Sequence, residues 1–168
     1  MKPPAIYKLL AALVLLAVAV FLFLKQKGAG ENSHENGYFY DLNEKQLFAA
    51  PRGSIPPIAG IKGADGAGVR AVVICTNGHP DDQDHLVIAY LEKYTPETKQ
   101  LFEEVRAARA AGRDEQGRIN RRQIPSNTLV RRLEDSDWHA LNTPEGEEIV
   151  NAWNKPGPDG QTPVVCQP

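Results

Sequence analysis

The feature that most constrains this chain is an unbroken apolar run near its N-terminus. Residues 9–24 carry no polar side chain, and Ile6 and Tyr7 extend the run across a single lysine. A helix over residues 6–24 would span roughly 28 Å, which is close to the hydrocarbon thickness of a bilayer. The run therefore predicts a transmembrane helix, and with it attachment of the protein to a membrane.

We expect this segment to be an uncleaved single-pass anchor. The small residues Gly28 and Gly30, which have the spacing of a cleavage site, come only after two lysines. A signal peptide has a shorter apolar core with its cleavage site directly behind it, and this remains the alternative. Lys2, Lys8 and the amino terminus slightly outnumber the two lysines beyond the run, which favours an N-terminus inside the cell and a domain outside the cytoplasm.

The rest of the chain divides into a short linker and one domain. Residues 1–27 form the anchor, residues 28–37 contain no apolar side chain larger than alanine and predict a linker, and residues 38–168 are enough for one modest domain. All 21 acidic residues and 15 of the 19 basic ones follow the anchor, which gives this part a net charge of −6. That charge excludes a globally basic nucleic-acid-binding protein.

Alternating apolar and aromatic runs predict an antiparallel sheet. Residues 38–42 and 47–50 surround a polar turn and are typical of a β-hairpin. Residues 69–75 and 86–94 are rich in β-branched and aromatic side chains and predict two strands that pair around the loop between them. Residues 128–133 predict a further strand.

Two helix starts repeat the same pattern of a capping threonine, a proline and a glutamate. Thr95 begins the first and Thr143 begins the second. The hydroxyl caps free backbone N–H groups, proline suits the first helical turn, and the acid favours the positive end of the helix. Together with the strands, these helices predict an α+β domain with a mainly antiparallel sheet and two helices behind the transmembrane helix.

A short motif with metal-binding chemistry follows the strand that ends at Cys75. Gly78, His79, Pro80, Asp81 and Asp82 resemble the His-Pro-Asp-Asp signature of zinc-dependent N-acetylglucosaminyl deacetylases of the PIG-L type. The resemblance implies zinc bound by His79 and Asp82, with Asp81 as the general base. The chain lacks the His-x-x-His that would supply a further ligand. A polar β-turn is therefore the interpretation we prefer.

Cys75 and Cys166 are the only cysteines. In an oxidising compartment they would form a disulfide. The bridge would close a loop of about 90 residues, which contributes roughly 4–5 kcal/mol in the chain-entropy treatment. Two independent thiols are the alternative.

Arginine is concentrated in residues 106–132, where Asp114 and Glu115 are the only acids. Arginine suits paired contacts to carboxylates and phosphates, so the segment predicts an interaction patch. No aromatic residue lies within it to stack on bases, which disfavours nucleic acid as the partner. A solvated surface whose charges pair internally is the alternative. The patch consists of Arg106, Arg109, Arg113, Arg118, Arg121, Arg122, Arg131 and Arg132.

Four runs, residues 38–48, 55–58, 69–75 and 90–99, are similar to a group of small, uncharacterised single-pass membrane proteins of planctomycete-type bacteria. The similarity implies bacterial origin and membrane attachment, and it implies no activity.

These observations favour a non-catalytic accessory or interaction subunit of a bacterial envelope assembly. We expect it to contact the membrane through residues 6–24 and a protein partner through the arginine patch, with no cofactor. One alternative is a metal-dependent, deacetylase-like hydrolase centred on His79, Asp81 and Asp82. A second alternative is a component of a pilus-like or secretion filament that packs through its apolar helix.

Overall fold

A computed structural model of the protein describes residues 36–80, 85–113, 117–157 and 160–168. The predicted transmembrane helix at residues 6–24 lies outside these ranges. No helix within them has the length and apolar character needed to cross a membrane.

The described residues form one antiparallel sheet of seven strands. Six of them follow the order β2-β1-β3-β4-β5-β6, and β7 pairs with the end of β3 that β1 does not reach. Strands β1 and β2 form the hairpin that the aromatic-rich runs predict, and β1 begins at Asn36, inside the segment predicted as a linker. The strands are β1 (Asn36–Asp41), β2 (Gln46–Pro51), β3 (Gly68–Cys75), β4 (Leu86–Tyr94), β5 (Thr128–Arg131), β6 (His139–Ala140) and β7 (Val164–Val165).

Three helices connect and flank these strands in the described part of the chain. They are α1 (Pro96–Ala110), α2 (Ile124–Asn127) and α3 (Pro144–Asn151). The hydroxyl of Thr95 accepts a hydrogen bond from the N–H of Thr98 at 3.4 Å, and the hydroxyl of Thr143 accepts one from Gly146 at 3.2 Å. Both threonines therefore cap their helices as the sequence pattern requires.

The core is built mainly from the central strands. Alternate residues of a strand point to opposite faces, and the register places Ala71 of β3 opposite Leu91 of β4. On this face the buried cluster is Tyr38, Val69, Ala71, Val73 and Leu91.

The predicted fold class, a transmembrane helix followed by an α+β domain with two helices, is wrong. The described chain is a small antiparallel sheet domain with few helices, and none of them is suited to span a membrane. The helices contribute only Val105, Ala108 and Ile149 to the buried apolar residues. A capping pattern determines where a helix begins, and it carries no information about how much of the core that helix supplies.

A buried carboxylate holds the turn between β1 and β2. Asp41 is 1% exposed and accepts hydrogen bonds from the N–H groups of Asn43 (2.8 Å), Glu44 (3.0 Å) and Ile61 (2.7 Å). The bond from Glu44 does most to lower the pKa of Asp41. The bonds from Ile61 and Asn43 and the charge of Lys62 lower it further, against the opposing effect of burial. Asp41 thus fastens the loop before β3 to the hairpin.

Candidate functional site: an arginine-flanked cleft

The arginines of the predicted patch differ in whether they have partners within the domain. Arg132, just after β5, lies 2.9 Å from the carboxylate of Glu148 and 3.8 Å from that of Asp135. Arg131 donates to the backbone carbonyl of Asp135 and stacks on the ring of Trp138. These two arginines are committed to contacts within the domain.

Two further arginines of the patch also have partners. Arg118 forms an exposed ion pair with Glu104 at 2.8 Å, in which both side chains are more than 40% exposed. Arg106 of α1 donates to the backbone carbonyl of Gly53 and thereby ties the helix to the loop after β2. Exposed pairs of the first kind contribute only about 0–1 kcal/mol, so the tie at Gly53 matters more for the architecture.

The remaining four arginines of the patch are exposed, and their side chains form no ion pair with any residue in the described ranges. They are Arg109, Arg113, Arg121 and Arg122. Their charges are therefore available to a partner.

A cleft lies between α1 and the segment that leads to α2. It consists of two adjoining cavities of about 760 and 320 Å³, which share Phe102, Arg109 and Ile119 in their walls. We call this surface the arginine cleft. Its walls include Phe102, Arg106, Arg109, Ile119, Arg121 and Ile124.

The geometry of α1 explains the arrangement of one wall. Phe102, Arg106 and Arg109 follow one another at spacings of four and three residues, so they lie on one stripe of the helix. The ring of Phe102 packs edge-on against Tyr94 of β4, with centroids 4.9 Å apart and planes at 82°. This contact fixes the apolar floor of the cleft against the sheet.

The loop after β2, to which Arg106 donates a hydrogen bond, also accepts hydrogen bonds from the sheet. Arg70 of β3 donates to the carbonyl of Ser54 at 3.0 Å and to that of Arg52 at 3.4 Å, and its guanidinium lies 3.9 Å from Glu92. Burial raises the pKa of Glu92, and the charge of Arg70 opposes that shift. Arg70 and Arg106 thus hydrogen-bond three consecutive backbone carbonyls, at residues 52–54, and hold this loop in place at one edge of the cleft.

The cleft combines an apolar floor with cationic walls in a domain of net negative charge. Guanidinium groups bind carboxylates and phosphates, and the floor made by Phe102, Ile119 and Ile124 suits an apolar side chain or chain segment. The arrangement can therefore bind an amphipathic anion.

The metal motif is only partly within the described ranges. His79 is exposed, and its backbone N–H donates to the side-chain oxygen of Asn77 at 3.1 Å, as in a polar turn. Asp81 and Asp82 lie outside the described residues. No group of three or more potential metal ligands occurs among the residues that are described.

Cys75 and Cys166 are joined by a disulfide, with Cα atoms 5.9 Å apart. The pairing continues into the sheet, since Cys75 lies opposite Val164 and the N–H of Cys166 donates to the carbonyl of Val73 at 2.9 Å. The bridge thus fixes the C-terminal segment beside β3.

Sequence reasoning missed the apolar half of the cleft. It counted the arginines of residues 106–132 and gave no role to Ile119 and Ile124, which lie close to Arg118, Arg121 and Arg122 in the sequence. Isolated isoleucines in a strongly polar segment were the available signal. No family model, curated protein or solved structure matches the chain.

Proposed function

We propose that this protein is a non-catalytic, membrane-anchored interaction subunit of a bacterial envelope assembly, and that its arginine cleft docks an acidic segment of a protein partner. The observation that carries the proposal is the pairing of an apolar floor with arginines that have no ion-pair partner among the described residues. The predicted anchor at residues 6–24 would hold the domain near the membrane.

The charges of the cleft favour a partner that is acidic. Arg109 of α1 and Arg121 of the segment before α2 both line the larger cavity. Carboxylates held between two guanidinium groups gain charge-assisted hydrogen bonds, and the attraction speeds encounter as well as binding. The part of the chain after the anchor has a net charge of −6, which repels acidic chains from its other surfaces and directs them to the cleft.

The apolar floor favours a segment that carries at least one large apolar side chain. Phe102 lies across both cavities, and the anchors of protein interfaces are typically apolar or aromatic groups in such pockets. Nucleic acid fits the cleft less well, because Phe102 is the one aromatic side chain in its walls and the domain as a whole is acidic.

Charge reversal in the cleft tests this function directly. Full-length protein in detergent would be titrated against a fluorescent peptide of alternating glutamate and leucine, with polyglutamate as the purely charged probe. We expect Arg109→Glu combined with Arg121→Glu to weaken binding of the Glu/Leu peptide by about tenfold or more, since two attractive contacts become repulsive.

The matched control is Arg113→Glu, which makes the same charge change nearby on a residue that does not line the cleft. It should change the affinity by less than about twofold. If both variants lost the same affinity, the effect would come from the net charge of the domain, and the proposal that the cleft is the binding site would be wrong. Equal affinity for polyglutamate and the Glu/Leu peptide would remove the apolar floor from it.

A further inference from the structure

A second cationic cluster surrounds Trp138, which lies between β5 and β6. The ammonium nitrogen of Lys93 is 4.3 Å from the centroid of its ring, and the guanidinium carbon of Arg131 is 5.0 Å from it. In the register of β4 and β5, Leu91 pairs with Arg131 and Lys93 with Leu129, so the two cations project from one face of the sheet.

These two charges have no acidic counterpart within the described residues. No carboxylate there lies within 4.0 Å of either cation, and the side chain of the nearby Asp135 is directed to Arg132. Burial lowers the pKa of Lys93, and the charge of Arg131 lowers it further. Lys93 and Arg131 are like charges on adjacent strands, and their contacts with the ring of Trp138 hold them close together.

Arg131 also has an unused edge. Its Nη1 donates to the carbonyl of Asp135, whereas its Nε is buried and meets no acceptor among the described residues. The Nε and Nη2 atoms of a guanidinium form a fork that matches two oxygens of a carboxylate or phosphate. Buried donors without a protein acceptor are uncommon in folded proteins, and those that occur often bind an ion or a water molecule.

Space for a ligand adjoins Lys93, the one residue of the cluster that lines it. Lys93 lines a cavity of about 290 Å³ together with Tyr94 and Leu129, and Lys99 is a second cation in its wall. The wall includes one carboxylate, that of Asp65, which forms no ion pair with Lys93. The cavity can therefore hold the group that carries an anion.

We propose that Lys93, Arg131 and Trp138 form a binding site for an oxyanion, namely the carboxylate or phosphate group of a small ligand. The oxyanion supplies the counter-charge for both cations, while the indole ring holds them in position. The cavity beside Lys93 shares no lining residue with the arginine cleft. The site is therefore distinct from the arginine cleft.

Tryptophan fluorescence provides the test, because the chain has only two tryptophans. In full-length protein carrying Trp153→Phe, Trp138 is the sole reporter. The probes are inorganic phosphate and sodium acetate, each titrated at constant ionic strength against sodium chloride. We expect a saturable change in Trp138 fluorescence with at least one oxyanion, and Lys93→Met should weaken that binding by tenfold or more.

The control is Lys155→Met, which removes an exposed lysine that does not line this cavity and should change the affinity by less than twofold. A stronger response to phosphate identifies a phosphate ligand, and a stronger response to acetate identifies a carboxylate. Broadening of the phosphate ³¹P signal by the unsubstituted protein gives a second measurement that does not depend on any variant. The proposal is overturned if neither oxyanion gives a response beyond that of chloride, or if Lys93→Met binds as tightly as its parent.

Discussion

Two charged regions of this domain, one buried and one partly exposed, differ in how many of their charges have partners within the fold. At the β1–β2 turn, the carboxylate of Asp41 accepts three backbone N–H groups and is closed off from solvent. At Trp138, the cations of Lys93 and Arg131 share one ring without an acidic partner among the described residues. The carboxylate of Asp41 is fully paired within the fold, whereas the two cations keep a positive charge that no carboxylate among the described residues balances.

The two regions also differ in how local they are. The partners of Asp41 include Asn43 and Glu44, which lie two and three residues further along the chain. The cluster at Trp138 is assembled from two strands and a loop. The contacts of Asp41 lie mainly between residues close in sequence, and they hold a turn of the fold. The Trp138 cluster joins residues from separate elements, and the fold does not need its two cations.

We expect the largest loss of stability from a substitution that adds a side chain beside the carboxylate of Asp41. In Gly60→Ala the new methyl group would collide with the carboxylate of Asp41 and would lie 2.9 Å from Cβ of Ala67. Neither neighbour can retreat without breaking the turn, so we expect a loss of about 1–3 kcal/mol in the free energy of unfolding, measured by urea denaturation. Gly53→Ala, which meets no atom within 4 Å, is the control and should leave the midpoint almost unchanged.

A smaller effect, with a pH signature, is expected when the charge of Asp41 is removed. Because its pKa in the folded protein is lowered from 3.8, the carboxylate contributes stability that is present above pH 3.8 and is lost as the pH falls through the folded value. Asp41→Asn should be less stable near pH 7, because the amide NH₂ group would face one of the backbone N–H donors. It should also lose this part of the acid dependence, because an amide does not titrate.

Thermal unfolding between pH 2 and pH 7 measures the difference. Glu44→Gln is the control, because it removes only an exposed ion pair with Lys62. If Asp41→Asn keeps the full acid dependence of the unsubstituted protein, Asp41 is not its source.

The smallest effect has the opposite sign and concerns the unsatisfied region. Lys93→Met removes a partly buried ammonium but keeps most of its apolar stem, so we expect a small gain in the free energy of unfolding at pH 7 in phosphate-free buffer. The folded pKa of Lys93 lies below 10.5, so its cost applies fully below that folded value and disappears as the pH rises through 10.5.

The advantage of Lys93→Met should therefore shrink between pH 8 and pH 11, which parallel denaturant titrations would follow. A loss of stability at pH 7 in phosphate-free buffer would contradict the comparison, since it would mean that the ammonium already has a stabilising partner in the fold.

Local patterns predicted the parts of the fold that depend on local physics. The threonine caps mark the starts of α1 and α3, and alternation within residues 69–75 and 86–94 marks the central hairpin. The two-residue strands β6 and β7 are too short to produce a periodic signal, and β7 pairs with β3, about 90 positions earlier in the chain. The fold class went wrong because the balance between sheet and helix is set by those distant contacts.

The candidate site was predictable only as a concentration of charge. Counting arginines in residues 106–132 identified the patch, but it did not separate Arg132, paired with Glu148 sixteen positions away, from Arg109, which has no ion-pair partner among the described residues. Nor did it show that Phe102 and two isoleucines would give the patch a floor. Which charges remain available is decided by tertiary structure.

The disulfide divides the domain mechanically. Cys75 and Cys166 are 91 positions apart, so the strands from β4 onward lie within a covalently closed ring, whereas β1 and β2 lie outside it. A force applied through the residues that precede Asn36 would load β1 first, and hydrogen bonds and side-chain packing alone hold β1 to β2 and β3. Under tension between the two ends of the domain the hairpin would separate and the residues before Cys75 would extend, whereas the disulfide would bypass residues 76–165, which would add no length.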